Sequence, residues 1–340
     1  MTHLTTATIA AQKSGAELAE SFERLDQPQV YTRDECDRLA DTIGRIQALK
    51  RERNAVVLAH NYQRPEIFEV ADFVGDSLEL ARRGQKVAAD VIVFCGVHFM
   101  AETAKILSPE KTVLLPDLRA GCSLADSVDP DELVERRDEL RKLYPDLQVV
   151  AYVNTTAAVK AVVDVCCTSA NAVQIVEKLP TQHILFVPDE HLGNYVQQKT
   201  AKTVISWNGN CYVHHQITPE NILAVKRGLP DVQVLVHPEC RADVIALADA
   251  VLSTSGMVRY AKESPAKEFL IVTECGLSDK LLLEVPEKTF YKACKLCQFM
   301  KMITLEGTLR SLETMTHRIE LDETVRSNAE RSLRRMLELT

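Results

Sequence analysis

The 340-residue sequence predicts an α/β protein of three homologous three-layer αβα domains, each around a small parallel sheet, in a pseudo-three-fold triangular arrangement. Three observations predict it. The runs Val56-Val57-Leu58-Ala59-His60-Asn61, Val149-Val150-Ala151-Tyr152-Val153-Asn154 and Val234-Leu235-Val236-His237-Pro238-Glu239 each read as a buried parallel strand that ends in polar groups. A second run follows each and ends in a hydroxyl, and His60 to Ser77, Tyr152 to Ser169 and His237 to Thr254 are all 17 residues apart. Each unit then ends in a cysteine, with Cys122, Cys211 and Cys297 lying 45, 42 and 43 residues past those hydroxyls. Repetition at a fixed period outranks any local signal in choosing an architecture.

Taken in chain order, residues 1–45 form an N-terminal extension, with residues 1–30 polar and read as a frayed arm. From Thr32, with Glu35 three residues later as a capping box, Leu39, Ile43, Ile46 and Leu49 recur at helical steps. The three repeats fall at 46–130, 146–225 and 231–305, with third strands at Val91–Phe94, Ile184–Val187 and Phe269–Thr273. A charged linker, Asp129–Asp146, joins the first two. Residues 306–340 are a helical segment whose Val325, Ala329, Leu333, Met336 and Leu337 are spaced to lie against the body. Strands alternating with helices imply right-handed crossovers, and parallel sheets gather their functional loops at the carboxyl edge. Three first-strand edges, three hydroxyls and three cysteines are therefore expected to converge on one cleft.

Composition excludes several classes. Hydrophobic residues at 46% and charged residues at 26% are ordinary for a soluble globular chain. The net charge of −8 and the lack of a dense Lys/Arg block argue against a nucleic-acid partner. The N-terminus has no basic segment followed by an apolar stretch, and runs such as Val91–Ala101 are too short to span a bilayer, so no membrane association and a cytoplasmic location are expected. The ten cysteines are then expected as reduced thiols serving metal or redox chemistry rather than a disulfide framework. Neither G-x-G-x-x-G nor a P-loop occurs, which disfavours a nucleotide site, and the absence of C-x-x-x-C-x-x-C favours non-radical chemistry.

Three thiolates from three loops would leave one iron of a cubane without a protein ligand, as a Lewis-acid catalyst requires. On spacing alone a structural zinc or unligated thiols stay open, and Cys211 with His214 has C-x-x-H spacing without a second pair. Cys95, Cys166, Cys167 and Cys275 sit in or beside apolar runs and read as core packing, Cys36 as structural. Cys240 is left open, and Cys294 is read as a ligand, as a disulfide partner of Cys297, or as neither. Ser77, Ser169 and Thr254 stand where strand gives way to helix, so each is either a plain cap or part of an anion site. His60, Tyr62, Tyr152, Asn154, His237 and Glu239 bring acids, bases and donors to the strand edges. His98, His183, His191, His214 and His215 follow no repeat and read as surface or local structural groups.

The motifs His60-Asn61-Tyr62, Gly75-Asp76-Ser77-Leu78-Glu79, Pro116-Asp117-Leu118 through Gly121-Cys122-Ser123-Leu124, Tyr152-Val153-Asn154, Thr168-Ser169, Trp207 through Cys211 and His237-Pro238-Glu239 resemble the quinolinate synthase family, over about Val56 to Leu337. The resemblance implies a triangular three-domain fold with a [4Fe–4S] cluster held by Cys122, Cys211 and Cys297. It implies condensation of iminosuccinate with dihydroxyacetone phosphate to quinolinate, with loss of phosphate and two waters, in NAD biosynthesis. By resemblance His60, Ser77, Tyr152, Val153, Asn154, Ser169, His237, Pro238, Glu239 and Thr254 hold substrate, and Tyr62, Tyr152 and Glu239 transfer protons. Functional coupling to the enzyme that supplies iminosuccinate follows from the same likeness. An aconitase-like hydro-lyase and a non-enzymatic zinc or thiol scaffold are the competing readings.

Overall fold

The computed structural model describes residues 12–340. It contains three all-parallel sheets, as the repeat predicts, each of four strands where the sequence reading had three. The first comprises β1 (Ala55–His60), β2 (Phe73–Gly75), β3 (Val91–Cys95) and β4 (Thr112–Leu114). The second comprises β5 (Gln148–Tyr152), β6 (Val165–Cys167), β7 (His183–Val187) and β8 (Thr203–Ser206), and the third β9 (Gln233–Val236), β10 (Ala250–Val251), β11 (Glu268–Val272) and β12 (Thr289–Lys292). All three share one order, β2-β1-β3-β4, β6-β5-β7-β8 and β10-β9-β11-β12, so the repeat extends to topology.

One polar device recurs with it. Asp72, Asp164 and Asp249 each accept the N–H of a first-strand residue, Val57, Val149 and Val234 in turn, at 2.7 Å. Each aspartate's own N–H donates to the carbonyl of that same residue at 2.9, 3.1 and 2.9 Å. The pair pins the turn that enters the second strand and so fixes where the following hydroxyl emerges. Asp72 also lies 2.9 Å from the buried Lys50 ammonium of helix Arg33–Glu52. Asp72→Ala is expected to leave a strand amide and a buried cation short of a partner, costing about 1–3 kcal/mol. A drop in the urea midpoint checks it, and an unchanged midpoint would mean that water replaces the carboxylate at no cost.

Side-chain alternation places the core on both faces of the sheets. In the third, Val234, Val236, Leu270 and Val272 pack with Ile217, Ile222 and Val244, while Leu235, Phe269 and Ile271 join the larger core shared with the rest of the chain. Helix Glu323–Glu338 buries Ala329, Leu333 and Met336 against helix Ala157–Ala161 and β6. The helix read from Thr32 runs Arg33–Glu52, with the Thr32 hydroxyl accepting the Glu35 N–H.

Several features differ from the sequence reading. Residues 1–11 of the expected frayed arm lie outside the described residues. From Gly15 the arm is a helix, Gly15–Phe22, with a Ser14/Glu17 capping box and Leu18, Phe22 and Leu25 buried. The charged linker is the helix Pro130–Leu143, capped by Asp129. The hydroxyls are not caps: Asp76, Asn171 and Ser253 hold the N-cap positions, while Ser77 and Thr254 are first helical residues. Cys275 and Cys294 form a disulfide, which corrects the expectation of reduced thiols throughout and the core-packing reading of Cys275. They meet because adjacent strands β11 and β12 end beside each other. The other eight cysteines are free. Among the described residues no helix is long and apolar enough to cross a membrane.

Candidate active site

The carboxyl edges of the three sheets meet around one cavity with about 730 Å³ of empty space, counting its open mouth. Repeat one contributes His60, Tyr62, Ser77 and Cys122 to its walls, repeat two Tyr152, Asn154, Ser169 and Cys211, and repeat three His237, Glu239, Thr254 and Cys297. Of the residues singled out in the sequence, Val153 and Pro238 are buried but do not line it. Cross-repeat hydrogen bonds close the seams: Asn61 Nδ2 donates to Thr254 Oγ1 at 2.9 Å, the Ala157 N–H to Glu102 Oε2 at 3.0 Å, and the Gln298 N–H to the Tyr212 hydroxyl at 2.9 Å.

His60 and His237 occupy equivalent first-strand edges and behave alike. The Tyr62 N–H donates to His60 Nδ1 at 3.2 Å and the Glu239 N–H to His237 Nδ1 at 3.4 Å. With Nδ1 an acceptor, the His60 ring carries its proton on Nε2, whereas His237 Nδ1 also faces the Glu239 carboxylate, which competes for that proton. Burial holds both imidazoles neutral, pushing them down to about 3, with the neighbouring His237 also acting on His60. Burial likewise drives the Tyr62 and Tyr152 phenols well above their ordinary range, with the Glu239 charge adding to it.

Glu239 is buried, with Oε2 at 3.1 Å from His237 Nδ1 and 3.4 Å from His214 Nδ1, and Oε1 without a partner. Desolvation raises its carboxyl above the ordinary value, while His214, His191 and the Tyr152 hydroxyl pull it back down. His214 corrects the reading of that residue as surface or local structure. It is buried, lines the cavity, and is pushed down to about 3 by burial. Its Nε2 lies 2.8 Å from Thr273 Oγ1, which in turn lies 2.5 Å from the Tyr62 hydroxyl. The C-x-x-H spacing from Cys211 was the only signal pointing to it, because Thr273 and Glu239 reach it from another repeat. His191 and His215 pair locally at 2.9 Å. Asp76, which stands in the Gly75-Asp76-Ser77 motif, and Glu274, which carries no sequence cue beyond its place after a strand, also line the cavity.

The three thiols fit a metal centre. None forms a disulfide, and each precedes a short helical turn whose N–H groups face its sulfur: Leu124 and Ala125 for Cys122, His214 for Cys211, and Phe299 and Met300 for Cys297. N–H groups aimed at sulfur stabilise thiolate, yet burial wins, lifting Cys122 to about 12 and raising the other two. Such thiols ionise only with a cationic partner, the relation a metal supplies. Cys211, His214 and Glu239 also bring their ligand atoms within 4.8 Å of one another.

Acids, bases and thiols from three sheet edges around one cavity are the arrangement of an enzyme that acts on a small molecule. Sequence comparison supplies the kind. The family model described as quinolinate synthetase A protein matches residues 44–338. The chain is 53% identical over 301 residues to the quinolinate synthase of Thermodesulfovibrio yellowstonii, covering 88% of this chain and 98% of that protein. It is 52% identical over 302 residues to quinolinate synthase 1 of Methanosarcina acetivorans, covering 88% and 97%, and 53% identical over 298 residues to the quinolinate synthase of Dehalococcoides mccartyi strain 195, covering 87% and 97%. The chain belongs to the quinolinate synthetase A family and is an enzyme of that type.

Proposed function

We propose that this enzyme condenses iminosuccinate with dihydroxyacetone phosphate to quinolinate, releasing phosphate and two waters, as a step of de novo NAD biosynthesis in the cytoplasm. The observation that carries this reading is the convergence of a thiol, a hydroxyl and a polar strand edge from each repeat on one cavity. Cys122, Cys211 and Cys297 would hold a [4Fe–4S] cluster. When bound, it supplies a Lewis-acidic iron with no protein ligand, which assists departure of a hydroxyl.

The chain's own groups bind, orient and move protons. The Nε2–H of His60 donates to a substrate carboxylate, and being neutral it does so without surrendering a proton, while His237 binds from the equivalent edge with its Nδ1 beside Glu239. Ser77, Ser169, Thr254 and Asn154 add hydroxyl and amide donors, and the Asn154 Oδ1 has no protein partner. Val153 and Pro238, read as substrate-binding by resemblance, would act through the backbone of the edges they stand on, and the Val153 N–H donates to the Cys167 carbonyl at 2.9 Å. Glu239 accepts the proton lost from carbon as the enamine forms, since its Oε1 is unpartnered and its carboxyl is poised above the ordinary value. Tyr62 and Tyr152, with phenols kept protonated by burial, return protons to departing oxygen. Iminosuccinate, an imine open to hydrolysis, favours functional coupling to the enzyme that produces it.

Anaerobic reconstitution with iron and sulfide, followed by assay of quinolinate formation, tests the reading. About four iron and four sulfide per chain with quinolinate as product is expected for a cubane. Turnover of a hydroxy-acid alone would make it an aconitase-like hydro-lyase. One zinc and no iron would favour the Cys211, His214 and Glu239 group as the metal site. Because an iron without a protein ligand is where oxidants attack first, exposure to air should remove activity and iron together. Full activity after long aerobic handling would end the cluster reading.

A further inference from the structure

The three cysteine loops are held by one repeated backbone contact and, in two repeats only, by a buried carboxylate. The third strands are in equivalent register, with Cys95 opposite Ala59, Val187 opposite Ala151 and Val272 opposite Val236. Two residues on, Val97, Asp189 and Glu274 each stand at the N-cap of the next helix. The residue after each donates its N–H to the carbonyl two residues before the cysteine: His98 to Ala120 at 2.7 Å, Glu190 to Gly209 at 2.7 Å and Cys275 to Lys295 at 3.3 Å. That contact belongs to all three loops.

The side chains differ. Asp189 Oδ1 accepts the Leu192 N–H at 2.7 Å, capping its helix, and Oδ2 accepts the N–H of Cys211 itself at 3.2 Å. Glu274 does the same, with Oε2 accepting the Gly276 N–H at 2.6 Å and Oε1 the Cys297 N–H at 3.0 Å. Both carboxylates are fully buried, and Glu274 is also 3.2 Å from the Lys301 ammonium. Val97 has no acceptor to offer, so Cys122 lacks this contact. One oxygen of each carboxylate serves the fold, which any N-cap aspartate does. The other spends its acceptor on a cysteine backbone, whose sulfur faces the cavity.

We propose that Asp189 and Glu274 are positioning residues for the metal centre, each fixing the backbone of one ligand loop, that of Cys211 and that of Cys297, by a contact that Cys122 lacks. The inference rests on the three-cysteine cluster reading. Outer-shell hydrogen bonds of this kind orient ligands and typically change metal affinity by about 10–100-fold when lost.

Asp189→Asn and Glu274→Gln separate the two duties. Each amide keeps one carbonyl oxygen for the helix cap and turns an NH₂ donor toward the cysteine N–H, where donor meets donor. Full-length protein reconstituted with iron and sulfide is challenged with an iron chelator, and iron release is followed by absorbance. Asp129→Asn serves as control, since Asp129 caps helix Pro130–Leu143 through the Asp131 and Glu132 N–H groups and touches no cysteine. Release from each of the two variants is expected to be at least roughly 10-fold faster than from wild type and the control. Apo-protein melting should be unchanged in Asp189→Asn. Glu274→Gln also strips Lys301 of its ion-pair partner, so it is compared at an equal margin below its own melting temperature. Release at the wild-type rate overturns the proposal. A lowered apo melting temperature without faster release assigns that carboxylate to the fold and overturns it for that residue. Wild-type protein that takes up no iron and sulfide removes the cluster reading itself, a different failure.

Discussion

Replacing Cys122, Cys211 or Cys297 by alanine is expected to abolish bound iron and sulfide, and with them all turnover, while leaving a folded apo-protein. The three sulfurs come from three separate loops around one cavity, and a cubane that already has one iron without a protein ligand does not survive the loss of a second thiolate. Cys95→Ala and Cys166→Ala should retain full iron content. Those thiols are fully buried on strands, with sulfurs 3.6 Å from Thr308 Oγ1 and 3.4 Å from Ser332 Oγ, where they pack the C-terminal helices against the sheets. Their loss belongs on the stability axis. Iron and sulfide analysis on anaerobically prepared variants separates the two groups, and full iron retention without Cys211 would falsify the assignment.

The repeat was legible because equivalent strand edges must deliver equivalent residues to a shared cavity, so the 17-residue offset is a mark of geometry in the sequence. Strand order could not be read, but once β1, β5 and β9 are placed in parallel sheets, the carboxyl-edge rule puts His60, Tyr152 and His237 at the cavity. Of the fourth strands, β8 and β12 went unread because they lie at sheet edges and are largely half-buried or exposed, and β4, though mostly buried, is only three residues long. Helix Gly15–Phe22 was readable in principle from Ser14 and Glu17, and was missed because its apolar face has only Leu18 and Phe22 as large residues. His214, Thr273 and the Asp189 and Glu274 contacts are of another kind. Each acquires its role from partners distant in sequence, and no local pattern encodes that. The Cys275–Cys294 disulfide likewise depends on the adjacency of two strand ends.

Glu239→Gln is expected to fold, bind its cluster and lose at least about 10²-fold in turnover at saturating substrate, the scale of a general acid–base group. Gln keeps the shape of the side chain and cannot accept a proton from carbon. The two outcomes that separate catalysis from structure run in opposite directions. Desolvation raises the carboxyl of Glu239 in the folded state, so the stability tied to its protonated form is fully present below the unfolded value of about 4.5 and is lost as pH rises through the higher folded value. Above that point the fold carries a buried charge beside the neutral rings of His237 and His214, with the Tyr152 hydroxyl offsetting only part of its desolvation. A neutral amide removes that cost, so the variant should melt at or above the wild-type temperature at neutral pH even as turnover collapses. If Glu239 instead only braces the loop beside His237, melting should fall while turnover per cluster stays near wild type. The wild-type rate should also rise with pH through the raised carboxyl value, because the base must be ionised, and that acidic limb should vanish from the Gln variant. Turnover, melting temperature and pH profile measured on one cluster-replete preparation decide the matter, and unchanged turnover would remove Glu239 from the mechanism.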